Sequence, residues 1–307
     1  SVIFKLKMPC LKNKPGSNFR SVILCLIMPL MVNCIASCGD SSSSNRGLES
    51  VTTDEYPSVD TMLILPKNPG PGEAFCILAI GEKNIRKAQI IVSGPSGILE
   101  SLKSKIGEEL PYWRIDHFTG SSASKYTATL IVDKKVVSNL AFIISPREKT
   151  PATSVVWKTL SGWDSSMEAI YSAWINALFH GCDEQASWPA LHDVIQNQNQ
   201  NFLYNYLSLG EDDPNGNNRL IMQPDCADNP FFLRAYFSWK LGLPFGYHLC
   251  DRGSLAHTPK TGQWITNESP ISKTNPALAF NAFLRRVMND VNSGLDVTAL
   301  DADKSEY

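Results

Sequence analysis

The hydrophobic residues of this chain change period near residue 150, and that change limits what each half can bury. From Thr61 to Ile144 short β-branched or aromatic runs alternate with turn residues: Thr61 to Leu65, Ala74 to Ile80, Ala88 to Val92, Gly97 to Leu102, Tyr112 to Phe118, Tyr126 to Val132 and Val136 to Ile144. In the sixth run Tyr126, Ala128, Leu130 and Val132 share one face and Thr127, Thr129 and Ile131 the other, the period of two of a strand. Pro66, Pro69, Gly70, Pro71 and Gly72, and then Gly94-Pro95-Ser96-Gly97, punctuate the runs with residues that fix turns sterically. Beyond residue 150 the steps become three and four: Met167, Ile170, Tyr171, Trp174, Ile175, Leu178 and Phe179 form the stripe of an amphipathic helix. Ser165 with Glu168 reads as its capping box.

Seven strand-like runs separated by turns predict a β-sandwich over residues 59–146, and the rhythm resembles a bacterial immunoglobulin-like domain. No chemistry is expected there. Cys76 sits inside a strand pattern and reads as a small buried hydrophobe, and Tyr112 and Trp113 read as core.

Ahead of the sandwich, Lys5, Lys7, Lys12, Lys14 and Arg20 precede an apolar run from Val22 to Val32, with no acidic residue before position 38. The run is too short for the roughly 20 residues a membrane-crossing helix needs, so it reads as a signal peptide over residues 1–37. Ile35-Ala36-Ser37-Cys38-Gly39 follows it and resembles the bacterial lipobox; the resemblance implies that Cys38 takes lipid and becomes the mature N-terminus. Residues 38–58, with Ser41 to Ser44, Asn45, Arg46 and Gly47, are too poor in apolar side chains to fold and read as a flexible tether. The expected partner of this end is a lipid bilayer, and the expected location is the cell envelope, on the periplasmic or surface side of an outer membrane.

The chain carries 28 basic and 30 acidic residues, and loss of the leader's five basic residues leaves 23 against 30. That acidic balance argues against nucleic acid as a partner. Cys76, Cys182, Cys226 and Cys250 remain in the exported part; neither CxxC nor HExxH spacing occurs, so neither metal nor other cofactor is expected.

In the second half, Leu191, Val194 and Ile195 suggest a short helix, and Pro276 to about Asn292 a longer one with Leu278, Ala282, Phe283 and Val287 as its stripe. Glu211-Asp212-Asp213-Pro214-Asn215-Gly216-Asn217-Asn218 reads as a solvated acidic loop without EF-hand spacing. The stretch richest in chemistry is Pro224-Asp225-Cys226-Ala227-Asp228-Asn229-Pro230, then an apolar helix from Phe231 to Leu241 and the stop Gly242-Leu243-Pro244. Unpaired amides and aligned peptide dipoles at a helix start favour negative charge, hence the thiolate that acts as nucleophile. Asp225 would cap the helix or orient substrate.

Asp225-Cys226 and Gly242-Leu243-Pro244 resemble the NlpC-type, papain-like cysteine hydrolases, although Ala227-Asp228 replaces the Ser-Gly usual after the cysteine. The resemblance implies a nucleophilic Cys226 acting on amide bonds of peptidoglycan stem peptides, with a histidine base on a downstream strand. The histidines after Cys226 are His248 and His257, and no strand is expected around either. The first expectation is a chain cut short before the catalytic strand; the alternatives are a variant site with His257 or His248 as the base, or a non-catalytic scaffold. Cys226 could also be tied in a disulfide to Cys182 or Cys250. The expected fold class is α+β: an immunoglobulin-like sandwich followed by a mostly helical papain-like domain over residues 151–307, with Cys226, His257 and Asp225 as catalytic residues and Cys38 as the lipid attachment site.

Overall fold

The computed structural model describes residues 60–147, 152–182, 186–251, 253 and 256–291. Cys38, the leader and the tether lie outside these residues.

The first half folds into eight strands, β1 (Thr61–Leu65), β2 (Ala74–Gly81), β3 (Gln89–Gly94), β4 (Gly97–Leu99), β5 (Lys103–Ile106), β6 (Tyr112–Thr119), β7 (Ser124–Val132) and β8 (Lys135–Ile144). They form two antiparallel sheets ordered β1-β2-β6-β5 and β4-β3-β7-β8. With the strands lettered in chain order, this is the A-B-E-D and G-F-C division of an immunoglobulin-like sandwich, with one further strand beside C. Tyr126 supplies a second mark of that fold. It lies near the start of β7, only 3% exposed, and its hydroxyl donates back to the Ser122 carbonyl at 3.1 Å, the tyrosine corner of such domains. The phenol ring passes so close to Gly94 that a Cβ there would fall 2.1 Å from it.

Both faces of the first sheet are buried. Phe75, Ile77 and Ala79 of β2 point into the sandwich with Phe118, Val92, Leu130 and Ile144, whereas Leu78 and Ile80 point the other way with Trp113 and Ile115 of β6. The near-continuous apolar run of β2 has this cause: a half-exposed strand alternates, and one covered on both faces does not.

What covers the second face is the other half of the chain. It contributes α1 (Ser165–Leu178), α2 (Leu191–Ile195), α3 (Asn229–Leu241), β9 (Gly246–Asp251), β10 (Lys260–Thr266) and α4 (Pro276–Asp290). Leu65, Leu78, Ile80, Trp113 and Ile115 join Ile170, Trp174 and Leu178 of α1 and Phe232 and Tyr236 of α3 in one core. Polar contacts reinforce the seam: Lys67 N–H donates to the Tyr206 carbonyl at 3.0 Å, and Asn176 Nδ2 to the Leu110 carbonyl at 2.5 Å.

The mostly helical papain-like domain is not what forms. Among the described residues the molecule has ten strands against four α-helices, and the second half joins its helices by long irregular chain and adds an antiparallel β9–β10 pair. Its apolar residues close a core only together with the sandwich. The β9 and β10 sequences, GYHLCD and KTGQWIT, bury few residues, so no clean period of two announces them. α1 is capped by Asp164, whose carboxylate accepts from Met167 N–H at 2.8 Å, rather than by Ser165. Glu168 is free to pair with Arg234 of α3. No described helix is long and apolar enough to cross a membrane.

Candidate functional site

The chain enters α3 through a helical turn that starts at Asp225, since Asn229 N–H donates to the Asp225 carbonyl at 3.2 Å. Asp225 Oδ1 accepts from the amides of Ala227 at 2.7 Å and Asp228 at 3.2 Å, and Asp228 Oδ1 accepts from Asp225 N–H at 2.7 Å. This reciprocal arrangement is a capping box built from two aspartates. Its sequence signal is the Asp225-x-x-Asp228 spacing, which a reading focused on the cysteine passes over. Cys226 is the first residue inside the box, and it is exposed.

The two carboxyls are unequal. Asp228 is fully buried and its Oδ2 has no hydrogen-bond partner; burial and the adjacent Asp225 carboxyl push it up to about 8. Its hydrogen bond with Asp228 and the two amides hold Asp225 below the usual carboxylate range. At neutral pH the box therefore carries about one negative charge and one proton.

Beyond α3, Gly242 adopts the left-handed conformation (φ +68°) that ends the helix, and the chain turns back. β9 then runs alongside α3 toward its start: the Tyr247 ring meets the Phe231 ring edge-on with centroids 6.4 Å apart. Tyr247 OH donates to Asp290 Oδ2 at 2.7 Å and fixes this strand against α4. β9 continues through His248 to Asp251 and pairs antiparallel with β10. A strand thus carries His248 where none was expected.

His248 and His257 are both anchored through Nδ1. His248 Nδ1 lies 3.2 Å from the Gly262 carbonyl, and its ring lies tilted by 45° against that of Trp264 with centroids 4.6 Å apart. His257 Nδ1 lies 3.0 Å from the Thr258 carbonyl and 3.7 Å from Asp251 Oδ2. Because these partners are acceptors, Nδ1 carries the proton in each ring and Nε2 keeps a lone pair. His257 alone of the two has a carboxylate near Nδ1, but at 3.7 Å Asp251 lies beyond hydrogen-bond distance and the Thr258 carbonyl is the nearer acceptor.

Burial sets the state of Cys76 and Cys182. Cys76 Sγ lies 3.1 Å from His117 Nδ1, directly across the β2–β6 pairing. Burial and Asp116 push that thiol up to about 11, and burial and Lys103 lower His117, so the pair is a neutral hydrogen bond rather than an activated thiolate. Burial also raises Cys182. Cys76, Cys182, Cys226 and Cys250 are all free, so no disulfide consumes Cys226. Among the described residues no group of three or more His, Cys, Asp or Glu side chains is placed to hold a metal ion.

The acidic loop departs most from expectation. Glu211 and Asp212 are fully buried, both paired with the buried Lys240 of α3. Glu211 also accepts from the amides of Leu207 and Leu209, and Asp212 from Asn205 N–H and Tyr236 OH. Burial pushes Glu211 up, but Lys240 and these donors outweigh it and hold it low; burial dominates at Asp212 and raises it. The cluster binds the 201–220 segment to α3.

No family model matches the chain, and no curated protein does. Among solved structures it is similar to the Lin-41 filamin domain, at 14% identity and a TM-score of 0.23 over 29% of this chain and 94% of that one. It is likewise similar to the ectodomain of mouse nectin-like molecule 4, at 7% identity and a TM-score of 0.21 over 29% of this chain and 34% of that one. Scores of this size carry no argument. The immunoglobulin-like assignment rests on strand order and the tyrosine corner.

Proposed function

We propose that this chain is a lipid-anchored cell-envelope protein whose Cys226 thiol hydrolyses amide bonds of cell-wall stem peptides. The observation that carries the reading is the exposed Cys226 thiol in the turn that leads into the buried helix α3, inside the Asp225–Asp228 box. In this reading the base is His257, whose Nδ1 lies 3.7 Å from Asp251 Oδ2 and which would have to reach Cys226. In the proposed reaction His257 Nε2 takes the thiol proton as Cys226 Sγ attacks the amide carbonyl carbon. The imidazolium then returns the proton to the leaving amine, and water, deprotonated by the same ring, hydrolyses the thioester to acid and free thiol. Lipid on Cys38 would hold the chain where such peptides occur.

One observation favours a second reading, a binding protein without catalysis. The Ala227 and Asp228 amides, which could stabilise the oxyanion of a tetrahedral intermediate, already donate to Asp225. The two readings part on turnover. With a stem peptide as substrate and mass spectrometry of the released amine, the hydrolase reading predicts that Cys226→Ser and His257→Ala each lose at least about a thousandfold in rate. No turnover by the native chain gives the binding protein, and unchanged rates in Cys226→Ser exclude Cys226 as the nucleophile.

A further inference from the structure

The seam between the sandwich and the helical half opens into a cleft of about 580 Å3, away from the Cys226 turn. Its walls include Trp157, Leu160 and Trp239, and Lys67, Arg147 and Lys158 converge on it. A smaller hollow of about 360 Å3 adjoins it through Arg147 and Ser208. We infer that this cleft is a binding site for a small anionic molecule with an apolar body, a carboxylate meeting Lys67 and Lys158 while the body lies against the two indoles. This site is independent of the proposed thiol chemistry.

Three observations carry the inference. The volume lies in the range of about 300–1,000 Å3 typical of sites for small organic ligands. No acidic side chain lines either hollow among the described residues, although acidic residues outnumber basic ones 30 to 28 in the chain. Arg147 is partly neutralised by Glu73 at 2.8 Å, but no ion pair to Lys67 or Lys158 occurs among the described residues, and Lys67 is half-buried. A desolvated cation without a counter-charge is costly, and an anion offsets that cost. Consistently, burial holds the Lys67 ammonium below its usual range. Trp239 stacks on Phe280 with centroids 4.3 Å apart and Trp157 meets the same ring edge-on at 5.8 Å, so the apolar wall is packed before any ligand arrives.

The test is a calorimetric titration of the folded chain with naphthalene-2-carboxylate and with its neutral carboxamide. The carboxylate should bind at least about tenfold more tightly at low salt, and added sodium chloride should shrink that advantage. The double variant Lys67→Gln/Lys158→Gln should lose the preference, Lys67→Arg/Lys158→Arg should restore it, and Cys226→Ser should leave it unchanged. Equal affinity for the two probes, no carboxylate binding at about 10 mM, or a preference that survives in the glutamine variant overturns the proposal.

Discussion

At the residue scale the chemistry is set by what stands beside each titratable group. Asp228, two positions after Cys226, shows this most clearly, and its effect on stability has a definite sign. Its folded value of about 8 lies above the ordinary carboxylate value of 3.8. Below about pH 4 folded and unfolded chains both hold the proton, so stability does not vary through this group. Between about 4 and about 8 only the folded chain holds it, and stability falls as pH rises. Asp228→Asn, which mimics the protonated carboxyl, should therefore be more stable than the native chain at pH 8 and show a flatter decline from pH 5 to 8 in urea unfolding. An unchanged slope contradicts the assignment. The sequence puts Cys226 at the helix start, whereas α3 begins at Asn229 and Cys226 lies in the turn before it. The box that holds it was not read, because Asp228 registered only as a departure from a family pattern.

At the scale of elements, the strands of the sandwich follow the hydrophobic runs closely, and β1 has the same bounds as its run. The exception is β5, whose KSKI residues are all exposed and carry no burial pattern to read. Helix α3 shows the other kind of failure. Lys240 in an apolar helix and Glu211-Asp212 in a polar loop each look solvated when read locally, and only tertiary packing brings them into one buried cluster. Removing the cation should leave buried carboxylate charge unpaired. Lys240→Met is expected to cost about 3–5 kcal/mol in urea unfolding, whereas Lys158→Met, on the exposed rim, should change stability by less than about 0.5 kcal/mol. A mild effect of Lys240→Met would show that the cluster does not hold the 201–220 segment to α3.

At the scale of the whole molecule, the first sheet is the middle of three layers, with the second sheet on one face and the helices on the other. Period-two alternation reveals one buried face per strand. It says nothing of what covers the opposite face, so the continuous core from Leu78 and Trp113 to Trp174 and Tyr236 was not readable from either half alone. A shared core predicts shared stability. Trp113→Ala, only 6% exposed at the seam, should cost about 3–5 kcal/mol and lower a single calorimetric transition. Two separate transitions, with only one displaced, would mean that the halves unfold independently.

If Cys226 is a working nucleophile, alkylation of the folded chain will single it out. Iodoacetamide at limiting dose near pH 7, with peptide mapping, should label Cys226 well ahead of Cys250, which is also exposed, and His257→Ala should slow that labelling by about tenfold or more. Equal labelling of Cys226 and Cys250, or a rate indifferent to His257, would contradict the claim and leave a binding protein in its place.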